Sequence, residues 1–153
     1  MGKLIAVIVP HNRGNCCIGS AYYDLGNYPK AIEYYQHHLD IARQIGDREG
    51  EAAALCNLGN TQSELQRYAE AWECLQAELE IFREIGESVS EAIVLYNLAE
   101  LHHQMGNLDL AVSDCDRALY IATELSIPLA QTAKKLKERL LNEQVGRNDP
   151  GNR

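Results

Sequence analysis

An all-α solenoid is the fold class that this sequence predicts, and three observations predict it. The chain matches itself at a shift of 40 residues: Gly19, Gly59 and Ala99 coincide, as do Leu25, Leu65 and Met105, Ala31, Ala71 and Ala111, Leu39, Leu79 and Leu119, and Ile41, Ile81 and Ile121. Within a period the apolar residues fall twice at helical spacing with a break between, first Ala52, Leu55, Leu58 and Leu65, then Tyr68, Ala71, Leu75, Leu79 and Phe82. Gly59 lies inside such a stripe although glycine costs roughly 1 kcal/mol there, which close approach of a second helix explains. A period of about 20–50 residues marks an array in which each unit buries its apolar face against the next.

Taken in order, segment 1–11 matches no repeat. Leu4, Ile5, Ala6, Val7, Ile8 and Val9 form an apolar run far short of the roughly 20 residues of a membrane helix, with no signal-peptide cleavage site after it. It reads as an arm packed on the first helix or as the degenerate remnant of a preceding unit; if it covers an open end, copies of the chain would associate through that end. Repeats are predicted at about 12–47, 48–87 and 88–127. Each is a helix pair: 12–25 with 28–45, 51–65 with 68–85, and 91–105 with 108–125. Gly26 and Gly106 turn the first and third pairs, and Gly46 stops a helix as glycine often does just past a C-terminus. Asn15 and Cys16 weaken the first stripe, so fraying is expected there, and Trp72 is expected to pack. Pro128 suits the first turn of a last helix, 129–143, in which Lys135 replaces Leu55 and Leu95, and Glu138 replaces Leu58 and Leu98. A terminal helix with a polar outer face is a cap, closing a domain of 12–144. The remainder, 145–153, has no apolar residue after Val145 and is expected to be disordered.

Composition bounds the function. The 153 residues suit one domain, and 14 basic against 22 acidic residues give a net charge of −8, which argues against a nucleic-acid surface and for basic or polar partners. Five cysteines without a Cys-x-x-Cys pair read as reduced thiols of a cytoplasmic protein. His37 and His38, like His102 and His103, are adjacent, and neighbours on a helix point about 100° apart, so no metal and no cofactor are expected. No phosphate loop is present, and Cys16 or Cys56 with His103 would lack oxyanion donors, so an enzyme is not expected.

The runs Leu55, Cys56, Asn57, Leu58, Gly59, Asn60 and Leu95, Tyr96, Asn97, Leu98, Ala99, Glu100, with the run from Gly26 to Tyr35, resemble tetratricopeptide repeats across about 12–144. Taking Gly59 as that family's eighth position puts Leu55 fourth, Leu58 seventh, Tyr68 seventeenth and Ala71 twentieth; Gln62 departs from the usual aromatic, which Tyr22 keeps. The usual unit has about 34 residues. The 40-residue version here, with its extended second helix, resembles the repeats of spindle-orientation adaptors that bind G-protein regulators and, more loosely, of kinesin light chains. The resemblance implies a right-handed superhelix without catalytic chemistry, a scaffold in which the first helices line a concave groove that holds a partner's peptide. The groove positions would be Arg13, Cys16, Ser20, Tyr23 and Asp24, then Ala53, Cys56, Asn57, Asn60 and Glu64, then Ile93, Tyr96, Asn97, Glu100 and His103. The amides of Asn57 and Asn97 would grip a peptide backbone or, alternatively, tie neighbouring helices together. Asp24, Glu64 and Glu100 would favour a ligand carrying Lys or Arg. Of the cationic clamp that cochaperone repeats use on acidic tails only Asn57 survives, since Cys16, Ser20, Ile93 and Asn97 stand at its other positions. The alternative function is a self-associating structural module or a piece of a larger adaptor.

Overall fold

A computed structural model describes residues 14–148 and contains seven helices and no strand among them. Helix α1 covers 14–24, followed by α2 (Tyr28–Ile45), α3 (Arg48–Glu64), α4 (Tyr68–Ile85), α5 (Ser88–Gln104), α6 (Leu108–Glu124) and α7 (Leu129–Asn148). The arm of 1–11, the association proposed through it, and Arg13 lie outside the described residues. The chain divides into two compact units, Met1–Ile81 and Phe82–Arg153, the division falling inside α4.

Turn chemistry shapes every connection. After each of the first six helices one residue adopts left-handed backbone: Gly26, Gly46, Gly86 and Gly106 at φ 71° to 78°, and Gln66 and Ser126 at 58° and 53°. At the end of α1 the Asn27 amide donates to the Tyr22 carbonyl (2.8 Å) and the Gly26 amide to that of Tyr23 (2.9 Å), which satisfies carbonyls left over at a helix end. Helices α3 and α5 begin at Arg48 and Ser88, three residues before the apolar stripes that predict them. For α3 the cause is Asp47, whose Oδ1 accepts the Gly50 amide at 2.9 Å and so caps a polar first turn that an apolar pattern does not register.

In the first unit Ala31, Tyr35, Leu39, Leu55, Leu58, Ala71, Leu75 and Leu79 are buried. The close crossing that the small residues predict is present: a methyl group placed on Gly59 would lie 3.3 Å from Cys74 Cβ and 3.6 Å from the Ala71 carbonyl. One on Gly19 would lie 2.6 Å from the Tyr35 ring. Trp72, expected to pack, is 39% exposed and so partly covered. In the second unit α6 packs on both α5 and α7, around a core of Ala99, Leu108, Ala111, Cys115, Ala133, Leu136 and Leu140.

Helix α7 corrects two expectations. Its buried residues Ala133, Leu136 and Leu140 reproduce Ala92, Leu95 and Ala99 of α5 at a spacing of 41, so the extra residue before α7 shifts its register by one. Lys135 and Arg139 therefore stand where the buried Val94 and Leu98 do, so α7 does trade part of the apolar face for charge, but at these positions, while Glu138 corresponds to half-buried Asn97. Helix α7 also runs on to Asn148, so 145–148 are helical where disorder was expected, while 149–153 lie outside the described residues. Bonds from Gln144 to Asp109 and from Arg147 to the Gly106 carbonyl (3.4 Å) hold that last turn against the α5–α6 turn.

Candidate functional site

In the first unit the exposed faces of α1 and α3 meet around a cavity of about 180 Å³ lined by Ser20, Tyr23, Asp24, Tyr35, Asn57 and Asn60. Five of these six are residues that the sequence predicts for the groove; the sixth, Tyr35, rises from α2 and is 2% exposed. The Tyr35 hydroxyl donates to Ser20 Oγ (3.3 Å), and Ser20 in turn donates to the Cys16 carbonyl (3.0 Å). Asn57 Nδ2 reaches across from α3 to Cys16 Sγ at 3.7 Å, while Asn60 Nδ2 lies 3.8 Å from Cys56 Sγ on its own helix. Tyr23 donates to Glu64 Oε1 at 3.5 Å, again joining α1 to α3. Ala53 on α3 is exposed.

Thiolate chemistry is disfavoured here. Burial pushes the Cys56 thiol up to about 11 and the Cys16 thiol above its ordinary value, so both are neutral thiols near pH 7 rather than activated nucleophiles. The five cysteines are free, and no group of histidine, cysteine and carboxylate residues among the described ones is arranged to hold a metal ion.

The corresponding face of the second unit is tied down. Ile93 is 44% exposed and Asn97 half-buried, but the neighbours of both are engaged. Tyr96 donates to Glu100 Oε1 (3.0 Å), Arg139 of α7 lies 4.0 Å from the same oxygen, and His103 Nε2 meets Glu143 of α7 at 2.8 Å. The bond to His103 holds the Glu143 carboxyl below its usual range. Glu100 thus has cationic and hydroxyl partners of its own.

Sequence reasoning missed several interactions. Arg43 to Glu51 and Arg83 to Glu91 are ion pairs of 2.9 Å, 40 residues apart, and that shift would have shown them. Burial alone would raise the Glu51 carboxyl, but the bond from Arg43 and the charge of Arg48 hold it below its ordinary value. The positions at 22, 62 and 102 carry different chemistry in each repeat. Tyr22 stacks on Tyr34 at 5.5 Å, Gln62 buries an Oε1 with no partner among the described residues, and His102 Nδ1 bonds Asp114 at 2.9 Å. Glu78, 4% exposed, stands where the third repeat has Ala118; burial raises its carboxyl to about 7, against the opposing effect of its bond with Cys56. A larger cavity, about 420 Å³, lies at the α5–α6 turn and is lined by residues 106–110 with Gln144 and Arg147. The last two span it to reach the turn, so it gathers none of the first-helix residues.

Helix pairs at a 40-residue period, turned through left-handed residues and packed with small residues at the crossing, define a helical repeat protein. Tetratricopeptide repeat family models match residues 12–84 and 92–124, and the chain belongs to that family. Over 40 residues, 26% of this chain, it is 50% identical to human G-protein-signaling modulator 1, a stretch amounting to 6% of that protein. The solved repeats of a putative kinesin light chain from Podosopora anserina superpose with a TM-score of 0.72 at 18% identity, covering 88% of this chain and 68% of that one. PcrH, solved in complex with the chaperone binding region of PopD, gives a TM-score of 0.69 at 20% identity, covering 86% and 92%. Among the described residues no helix is long and apolar enough to cross a membrane.

Proposed function

We propose that this chain is a noncatalytic cytoplasmic interaction module that holds a peptide segment of a partner protein on the exposed faces of its first helices, foremost those of α1 and α3. The observation that carries the reading is the cavity in the first unit, where five residues chosen from the sequence converge with side-chain amides, hydroxyls and a carboxylate. Amides and hydroxyls suit a peptide backbone because they offer donors and acceptors whatever the side chains are. PcrH, of the same fold, is known in complex with a segment of another protein, which supports peptide capture as a use of such a helix array. Asp24 and Glu64, together with a net charge of −8, favour a basic segment whose binding weakens as salt is added. Neutral thiols and unpaired cysteines fit a reducing compartment.

Photocrosslinking tests the proposal. With p-benzoylphenylalanine in place of Ala53, which is exposed on α3, a cell lysate should yield crosslinks that map to one segment of a partner and fall in high salt. Crosslinks confined to an equivalent probe at exposed Glu80 on α4 would assign binding to the second helices and defeat the reading.

A further inference from the structure

The direction of the hydrogen bonds around the first-unit cavity narrows what enters it. The Tyr35 and Ser20 protons are committed within the wall, to Ser20 Oγ and the Cys16 carbonyl, and the Tyr23 proton is committed to Glu64. Asn57 and Asn60 each direct one N–H to a thiol. Beyond these bonds the lining residues retain as acceptors the two amide oxygens, the unused lone pairs of the tyrosine hydroxyls and the Asp24 carboxylate, against one remaining N–H per amide. Acceptors are therefore in the majority, and none of the six lining residues is basic.

From this geometry we infer that the cavity between α1 and α3 is a subsite for a primary ammonium group, the side-chain end of a lysine presented by the bound segment. An ammonium offers three donors that rotate to meet acceptors distributed around a cavity, whereas a guanidinium needs acceptors in one plane in front of its fork. The volume, about 180 Å³, equals that of roughly six waters, and a lysine side chain beyond its Cβ is four such heavy-atom groups. Asp24 supplies the countercharge at the exposed rim, so the charge need not be fully desolvated. The inference rests on the peptide-capture reading and makes it specific.

The test uses the full isotopically labelled chain and Nα-acetyl-lysine methylamide as probe, followed through the side-chain amide resonances of Asn57 and Asn60. Matched probes are the Nε-acetylated, norleucine and arginine analogues. Saturable shifts at both amides with the lysine probe are expected, at least threefold weaker with the arginine analogue, absent with the two uncharged ones, and weakened at least threefold by Asp24→Asn. Asp24 is exposed, so this variant keeps the fold; its amide spectrum checks that. No saturable shift with the lysine probe, equal shifts with norleucine or with arginine, or indifference to Asp24→Asn would overturn the subsite. Such a result leaves peptide capture to stand or fall on the Ala53 crosslinks, so the two failures are distinguishable.

Discussion

The α1–α3 face of the first unit and the α5–α7 face of the second carry residues of one repeat pattern, yet they do opposite things. In the first, exposed Asp24 lines an open cavity together with Asn57 and Asn60, whose amides each give one N–H to a thiol. In the second, Glu100 and His103 are consumed by Arg139 and Glu143 of the terminal helix. The difference teaches that a position on a helix face has no fixed role: the same register lines an open cavity in one unit and is tied down by ion pairs from the neighbouring helix in the other. A second contrast lies in the packing. Where the third repeat buries Ala118, the first two bury His38 and Glu78, each with an atom that has no partner among the described residues.

The largest expected effect tests whether α7 is an integral part of the second unit. Leu140 is 0% exposed in the core that α7 closes, so Leu140→Ala should cost about 2–5 kcal/mol in urea unfolding of that unit. If peptide crosslinking at Ala53 persists in this variant, binding resides in the first unit; if it vanishes while the first unit stays folded, the contrast between the faces is wrong.

Glu78 sharpens the packing contrast through pH. Its folded carboxyl titrates at about 7, above the ordinary 4.5, so it folds neutral at no ionisation cost below about pH 4.5. Above that pH the unfolded chain loses the proton first, and the cost to stability grows until about pH 7, then levels off. Glu78→Gln should remove a pH-dependent penalty of order 2–3 kcal/mol and flatten the stability profile between those values. Thermal melts at pH 5 and pH 8 that fall in parallel for both proteins would show that Glu78 is solvated.

At the proposed recognition face Asn57→Ala should weaken peptide binding by about 1–3 kcal/mol, and Asn97→Ala should add less, since its surroundings are tied to α7. Equal losses by titration calorimetry would erase the distinction between the two faces. At the crossing of α3 and α4, Ala71→Leu should cost about 1–3 kcal/mol by overpacking against Gly59, read from the urea midpoint. The smallest effect is at the turn between those helices: Gln66→Gly should stabilise by roughly 1 kcal/mol, because Gln66 holds φ 58° where the equivalent turns have glycine. A lower melting temperature would mean that the Gln66 side chain contributes more than its backbone costs.

The sequence by itself determined the repeat, the helix pairs, the glycine turns and most of the buried positions, because period and apolar spacing are one-dimensional properties that local backbone geometry converts directly into helices. It also placed Ser20, Tyr23, Asp24, Asn57 and Asn60 on helix faces that the tertiary structure brings to one cavity. Which of those faces remain open was decided only in three dimensions. Tyr35 enters the cavity from the second helix, Arg139 and Glu143 close the other face, and the register of α7 slips by one residue. None of these follows from a pattern along the chain. Each depends on the rotation of one helix about its axis against another, about 100° for a single inserted residue, and that rotation is fixed by side-chain packing between residues 15 to 41 positions apart.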